Sequence, residues 1–153
     1  MDKRFGLAVM AYLVPTFPLG YLWHLTLFAQ QYHKLAMYRE QVIIPMGLAS
    51  MLTQGVLFAW AYPRLFGNLQ DWKRGALKFG LFFGVLAWSF AVLPTAAKYR
   101  MASVSDFMAL ESAFTFLQFL VVSPCVAWVY RGAHLTQPQG AMRRSFADTE
   151  ASR

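Results

Sequence analysis

Cysteine is almost missing from this chain: its 153 residues include one, Cys125. A single thiol builds neither a disulfide framework nor a cysteine-lined metal cluster, and it leaves the redox compartment undetermined. Charge is scarce as well, with Asp, Glu, Lys and Arg at 14% of the chain where ordinary soluble domains carry roughly a quarter. Histidine occurs only as His24, His33 and His134. Without an H-x-x-x-H, H-E-x-x-H or Cys/His cluster, zinc chemistry and bis-histidine haem ligation have no ligand set. There is no glycine-rich phosphate loop, and no serine or cysteine stands in a nucleophile and base arrangement. The expectation is of no cofactor and no metal, and the balance lies against an enzyme.

What the chain does have is apolar surface: 58% of residues are hydrophobic, 17% are aromatic and the mean hydropathy is +0.38. A water-soluble globule of this size would leave large apolar patches exposed, so lipid is the solvent that fits. The net charge of +7 falls between the apolar runs and not along one stripe, which argues against a nucleic-acid partner and for membrane lipids.

Four runs reach the ~20 residues that cross a ~30 Å hydrocarbon layer as helix. They extend from about Phe5 to Ala29, Val42 to Tyr62, Ala76 to Ala97 and Phe107 to Tyr130. Short connections make consecutive spans antiparallel neighbours, so the expected fold is an all-α transmembrane four-helix bundle over residues 1–131. The first run is too long for the apolar core of a signal peptide and contains Pro15 and Pro18, so it is expected to be retained. The tail, residues 132–153, mixes Gln, Pro, Gly, Ser and charge without helical period and is expected to be mobile.

Lys and Arg sort unevenly between the two ends of such a bundle. Lys3, Arg4, Arg64, Lys73, Arg74, Lys78, Arg131, Arg143, Arg144 and Arg153 share one end, against Lys34, Arg39, Lys98 and Arg100 at the other. The positive-inside rule then puts both termini in the cytoplasm and the loops around His33 and Ser103 outside. Trp60, Tyr62, Trp72, Trp128 and Tyr130 fall near the inner boundary, with Tyr32, Tyr38 and Tyr99 near the outer one, as aromatic anchors do.

Two segments recur: Gly20-Tyr21-Leu22-Trp23 resembles Gly84-Val85-Leu86-Ala87-Trp88, and Ala59-Trp60-Ala61-Tyr62 resembles Ala127-Trp128-Val129-Tyr130. One reading is a duplicated hairpin giving two parallel repeats; the other is the ordinary recurrence of aromatics at membrane boundaries. Small residues mark helix contacts: Ala76, Gly80 and Gly84 in the third span, and Gly47, Gly55 and Ala59 in the second. Spacing alone leaves Gly80 and Gly84 open between an internal contact and the seam of a homo-oligomer. Pro15 and Pro18, and equally Pro94 and Pro124, are expected to kink their helices, whereas Pro45 lies in a first turn and costs little.

Polar groups inside the spans carry the functional reading, because hydrocarbon penalises them unless they are paired or wet. Glu111, Thr115 and Gln118 fall at i, i+4 and i+7, one stripe on the fourth span, and His24 lies at nearly the depth of Glu111. The candidate binding site is an outward-opening cavity lined by Trp23, His24, Gln54, Trp88, Glu111, Thr115 and Gln118, with Lys98 and Arg100 at its mouth. The competing reading is that these groups only hydrogen-bond the helices together.

The stretch Gly20-Tyr21-Leu22-Trp23-His24-Leu25-Thr26-Leu27-Phe28 with Tyr32, extended by Met51-Leu52-Thr53-Gln54-Gly55, resembles small bacterial four-helix membrane proteins grouped as a domain of unknown function. The resemblance implies a bacterial inner-membrane protein in which Trp23 and His24 matter together, and it supplies no activity or catalytic residues. The expected function is binding or moving a small molecule or ion. The alternatives are an accessory subunit of a larger membrane complex and an enzyme acting on a lipid-soluble substrate through His24 and Glu111.

Overall fold

The computed structural model describes residues 3–37, 39, 41–67 and 71–132. They form α1 (Lys3–Leu22), a π-helical turn (Trp23–Leu27), α2 (Ala29–Lys34), α3 (Ile44–Leu65), α4 (Trp72–Lys98) and α5 (Val104–Val129). Four stretches, Lys3–Leu27, Ile44–Leu65, Trp72–Lys98 and Val104–Val129, are long and apolar enough to cross a membrane. The outward surface agrees: Phe90 is 74% and Leu120 73% exposed, a cost in water and none in lipid. The fold is an all-α four-helix bundle with the marks of a multi-pass membrane protein. The expected mobile tail lies, beyond Gly132, outside the described residues.

Helix boundaries follow local chemistry. Asp71 caps α4 by accepting from the Lys73 amide at 2.9 Å, and Ser103 caps α5 by accepting from the Asp106 amide at 3.2 Å. Pro45 sits in the first turn of α3, where its missing amide is no loss. The connections after α2 and α4 are tied by the Ala102 amide donating to Leu35 O at 3.2 Å. Ala36 closes α2 with φ +57°, a left-handed conformation that a Cβ resists by roughly 1–2 kcal/mol. Ala36→Gly is therefore expected to raise stability by about 0.5 kcal/mol in detergent unfolding, the relief being partly offset by the freer unfolded chain.

Around the bundle the helices follow the order α3, α1, α5, α4. We call the end bearing Lys3 and Val129 basal, and the end bearing Lys34 and Val104 apical. A basal aromatic core holds Tyr12, Phe58, Tyr62, Phe79 and Phe119, and through Phe58 and Tyr62 packed on Phe79 it joins α3 to α4. The recurring Ala-Trp-x-Tyr segments meet here, Tyr62 stacking on Tyr130 at 5.4 Å and 13°. Arg64 lies 4.3 Å from the Trp60 ring and Arg131 3.9 Å from that of Trp128, the posture of anchored interfacial pairs.

Small residues settle who touches whom. A Cβ on Gly80 would lie 2.6 Å from Ser123 Oγ of α5 and one on Gly84 3.4 Å from Phe119. The Gly80/Gly84 face is thus an internal α4/α5 contact and not an oligomer seam. Gly55 performs the same service between α3 and α1, a Cβ there meeting Tyr12 at 3.2 Å and Val9 at 3.5 Å. At the apical end the two helices separate, and every residue of the 41–50 stretch is exposed.

The helices run on through their prolines, α1 through Pro15 and Pro18, α4 through Pro94 and α5 through Pro124. The irregular turn comes afterwards, in a stretch without proline, where the Phe28 amide bonds Trp23 O, five residues back, at 3.0 Å. A proline removes one donor, which neighbouring groups make good, whereas a π turn inserts a residue and resets every side chain beyond it.

Candidate functional site

Two polar clusters lie along α1, and one four-residue spacing links them. Tyr12, Thr16, Gly20 and His24 fall on one helix face. At mid-span, the Gln118 amide donates to Tyr12 OH at 3.0 Å, Tyr12 OH donates to Gln54 Oε1, and Gln54 Nε2 donates to Ser50 Oγ at 3.2 Å. One hydrogen-bonded chain thereby crosses from α5 through α1 to α3. Gln54 is the eleventh residue of α3, about 15 Å from the start of that helix at a ~1.5 Å rise, and so near the middle of a membrane.

The apical cluster centres on Glu111 of α5. Tyr32 OH donates to Glu111 Oε1 at 2.7 Å, and His24 Nε2 lies 3.3 Å from the same oxygen. His24 Nδ1 stands 3.0 Å from Gly20 O, and because a carbonyl only accepts, Nδ1 carries a hydrogen. Nε2 is the ring nitrogen turned toward the carboxyl group. The π turn helps assemble this arrangement. It sets Trp23 beside Phe28, five residues on, with ring centroids 4.4 Å apart, while the His24 ring lies 4.9 Å from that of Tyr32 and 4.3 Å from that of Phe114.

Between the clusters, where α1 and α3 part, lies a cavity of about 710 Å³, within the range of small-molecule sites. Thr16, Gly20, His24, Ser50, Gln54 and Gln118 line its polar side, and Met37, Ile43, Met46, Met51 and Phe114 are among its apolar lining. Among the described residues, Arg39 is the charged lining residue outside the spans. Thr16 is 1% exposed, and its hydroxyl has no hydrogen-bond partner.

Of the residues picked from sequence, the structure brings His24, Gln54 and Gln118 together on the cavity wall. Glu111 stands behind His24 and does not line the cavity. Trp23 is part-buried against Phe28 and Phe114, its indole nitrogen buried without a partner. Trp88 belongs elsewhere: its indole donates to Ser112 Oγ at 2.8 Å and ties α4 to α5. Thr115 is buried on α5 and does not line the cavity. At the mouth, Lys98 and Arg100 give way to Arg39, because the gap opens between the first two spans and not at the third.

Sequence reasoning passed over Tyr12, Tyr32 as a carboxylate partner, and Ser50. The available signal was the Tyr12, Thr16, Gly20, His24 spacing, which puts the Tyr12, Thr16 and His24 side chains on one face. Compared with protein-family models, curated proteins and solved structures, the chain matches none.

Proposed function

We propose that this chain is a multi-pass protein of a bacterial inner membrane, with both termini in the cytoplasm, and that it binds a small lipid-soluble molecule in the cavity between α1 and α3. The observation that carries the reading is a polar floor at mid-membrane depth beneath a cavity of about 710 Å³. Helix association alone calls for hydrogen bonds between helices and gives no reason for an open volume above them. Binding is favoured over conduction because the path stops under the floor, where Gly55 holds α3 against Tyr12 and Val9 above the basal aromatic core. The excess of Lys and Arg at the basal end supports a cytoplasmic basal side, and the first-span resemblance supports the bacterial membrane.

Gly47 lines the cavity, and a Cβ there meets nothing within 4 Å. Gly47→Phe is therefore expected to fill the cavity while leaving the bundle intact. Native mass spectrometry of the chain, gently extracted from its membrane, is expected to show a bound small molecule on the wild type and none on this variant. Wild-type protein that carries nothing would overturn the reading.

The exposed apical half of α3 favours a second reading, an accessory subunit whose partner helix beds there. A stoichiometric larger protein co-extracted with the chain would establish it, and a chain that migrates alone or as a homo-oligomer would remove it.

A further inference from the structure

We infer that the molecule held between α1 and α3 is uncharged and bears a carbonyl or hydroxyl oxygen at one end. That oxygen sits on the amide groups of Gln54 and Gln118, and the apolar remainder leaves sideways into the bilayer between the two helices. This inference rests on the cavity reading above and adds the chemistry of the occupant.

Charge comes first. The floor consists of Thr16, Ser50, Gln54 and Gln118, none of them ionisable in water's accessible range. His24 lines the wall, but its ring nitrogens are committed to Gly20 O at 3.0 Å and Glu111 at 3.3 Å. Arg39 belongs to the apical connection before α3, of which Gln54 is the eleventh residue. A carboxylate or ammonium lowered onto these neutral amides meets no counter-charge among the described floor residues, and hydrocarbon makes that expensive.

The hydrogen-bonding sense comes second. Each glutamine amide has two N–H groups, of which Gln118 commits one to Tyr12 and Gln54 one to Ser50. One donor remains on each amide. The floor therefore offers an N–H on each glutamine to an oxygen acceptor, and the Gln118 carbonyl can take the hydrogen of a hydroxyl. Shape comes third: Phe17 and Tyr21 on the α1 side of the cavity and Leu48 on the α3 side are 40%, 47% and 46% exposed. The sides of the gap are apolar and open, as a tail running out into lipid requires.

The test uses the full chain in nanodiscs and measures retention of four radiolabelled probes: farnesol and a decyl-substituted benzoquinone, both uncharged and oxygen-headed, and oleate and dodecylamine, both charged. Wild type is expected to retain the two uncharged probes in preference to the charged ones. The double variant Gln54→Met, Gln118→Met should weaken that retention by about tenfold or more. Gly47→Phe should abolish it, and decides the matter if the double variant does not fold. Tighter retention of oleate, lost in Arg39→Gln, overturns the uncharged head while leaving a ligand cavity in place, and preference for dodecylamine does the same. Retention of no probe by wild type overturns both this inference and the cavity reading.

Discussion

Replacing Gly80 with Leu is expected to cost about 3 kcal/mol of stability or more, the upper part of the range for an overpacked interior. A single Cβ at this position already lies 2.6 Å from Ser123 Oγ and 3.2 Å from Ser123 Cβ. Ser123 is 3% exposed and its hydroxyl donates to Phe119 O in the same helix, so it cannot swing aside without losing a buried hydrogen bond. The remaining response is to push α4 away from α5. In lipid that is especially damaging, because helices gain nothing hydrophobic by associating and depend on close packing. Gly84→Ala is the internal control: its Cβ would be 3.4 Å from Phe119, ordinary contact, and a change within about 0.5 kcal/mol is expected. Unfolding of the purified chain against the mole fraction of dodecyl sulfate measures both. If Gly80→Leu unfolds with wild type but alters the oligomeric state, the glycine face looks outward and the α4/α5 assignment fails.

The second large effect belongs to Glu111, and its direction depends on which residue replaces it. Glu111→Leu leaves Tyr32, which is fully buried, and His24 facing an aliphatic side chain. A loss of about 2 kcal/mol is expected from the contacts that Tyr32 and His24 give up, moderated because His24 and Glu111 are 19% and 18% exposed. Glu111→Gln should lose less than about 1 kcal/mol, since an amide nitrogen standing where Oε1 does can donate to His24 Nε2 and to the Tyr32 hydroxyl oxygen. The ordering follows from the hydrogen on His24 Nδ1, which is committed to Gly20 O and leaves Nε2 to accept from the amide. Equal losses for Gln and Leu would contradict that proton assignment, and the same unfolding titration decides it.

Much of this site is legible one residue at a time, and the illegible part has a common cause. Glu111 and Gln118 share a stripe because the α-helical period puts them there, and the depth match of His24 with Glu111 follows from counting residues along two antiparallel spans. Trp88 is misassigned by the same arithmetic: depth places it beside the others, but it faces Ser112 across the α4/α5 contact. Rotation about a helix axis relative to its neighbours is a property of packing, and only the glycine contacts at Gly55 and Gly80 establish it. Tyr12 was hidden for a different reason. A tyrosine in an apolar run reads as bulk, and its hydroxyl gains meaning only when Gln54 and Gln118 arrive from two other helices.

The number of spans, their limits to within a few residues and their antiparallel order are already implied by composition, because hydrocarbon admits only segments that satisfy their own backbone and are long enough to cross. Which helices touch, where α1 changes from α to π, and that α3 leans away from α1 to open a space were decided by three-dimensional packing. Those features depend on how close two backbones come at a glycine and how far apart they stay where side chains hold them off, and neither distance is written along a single helix.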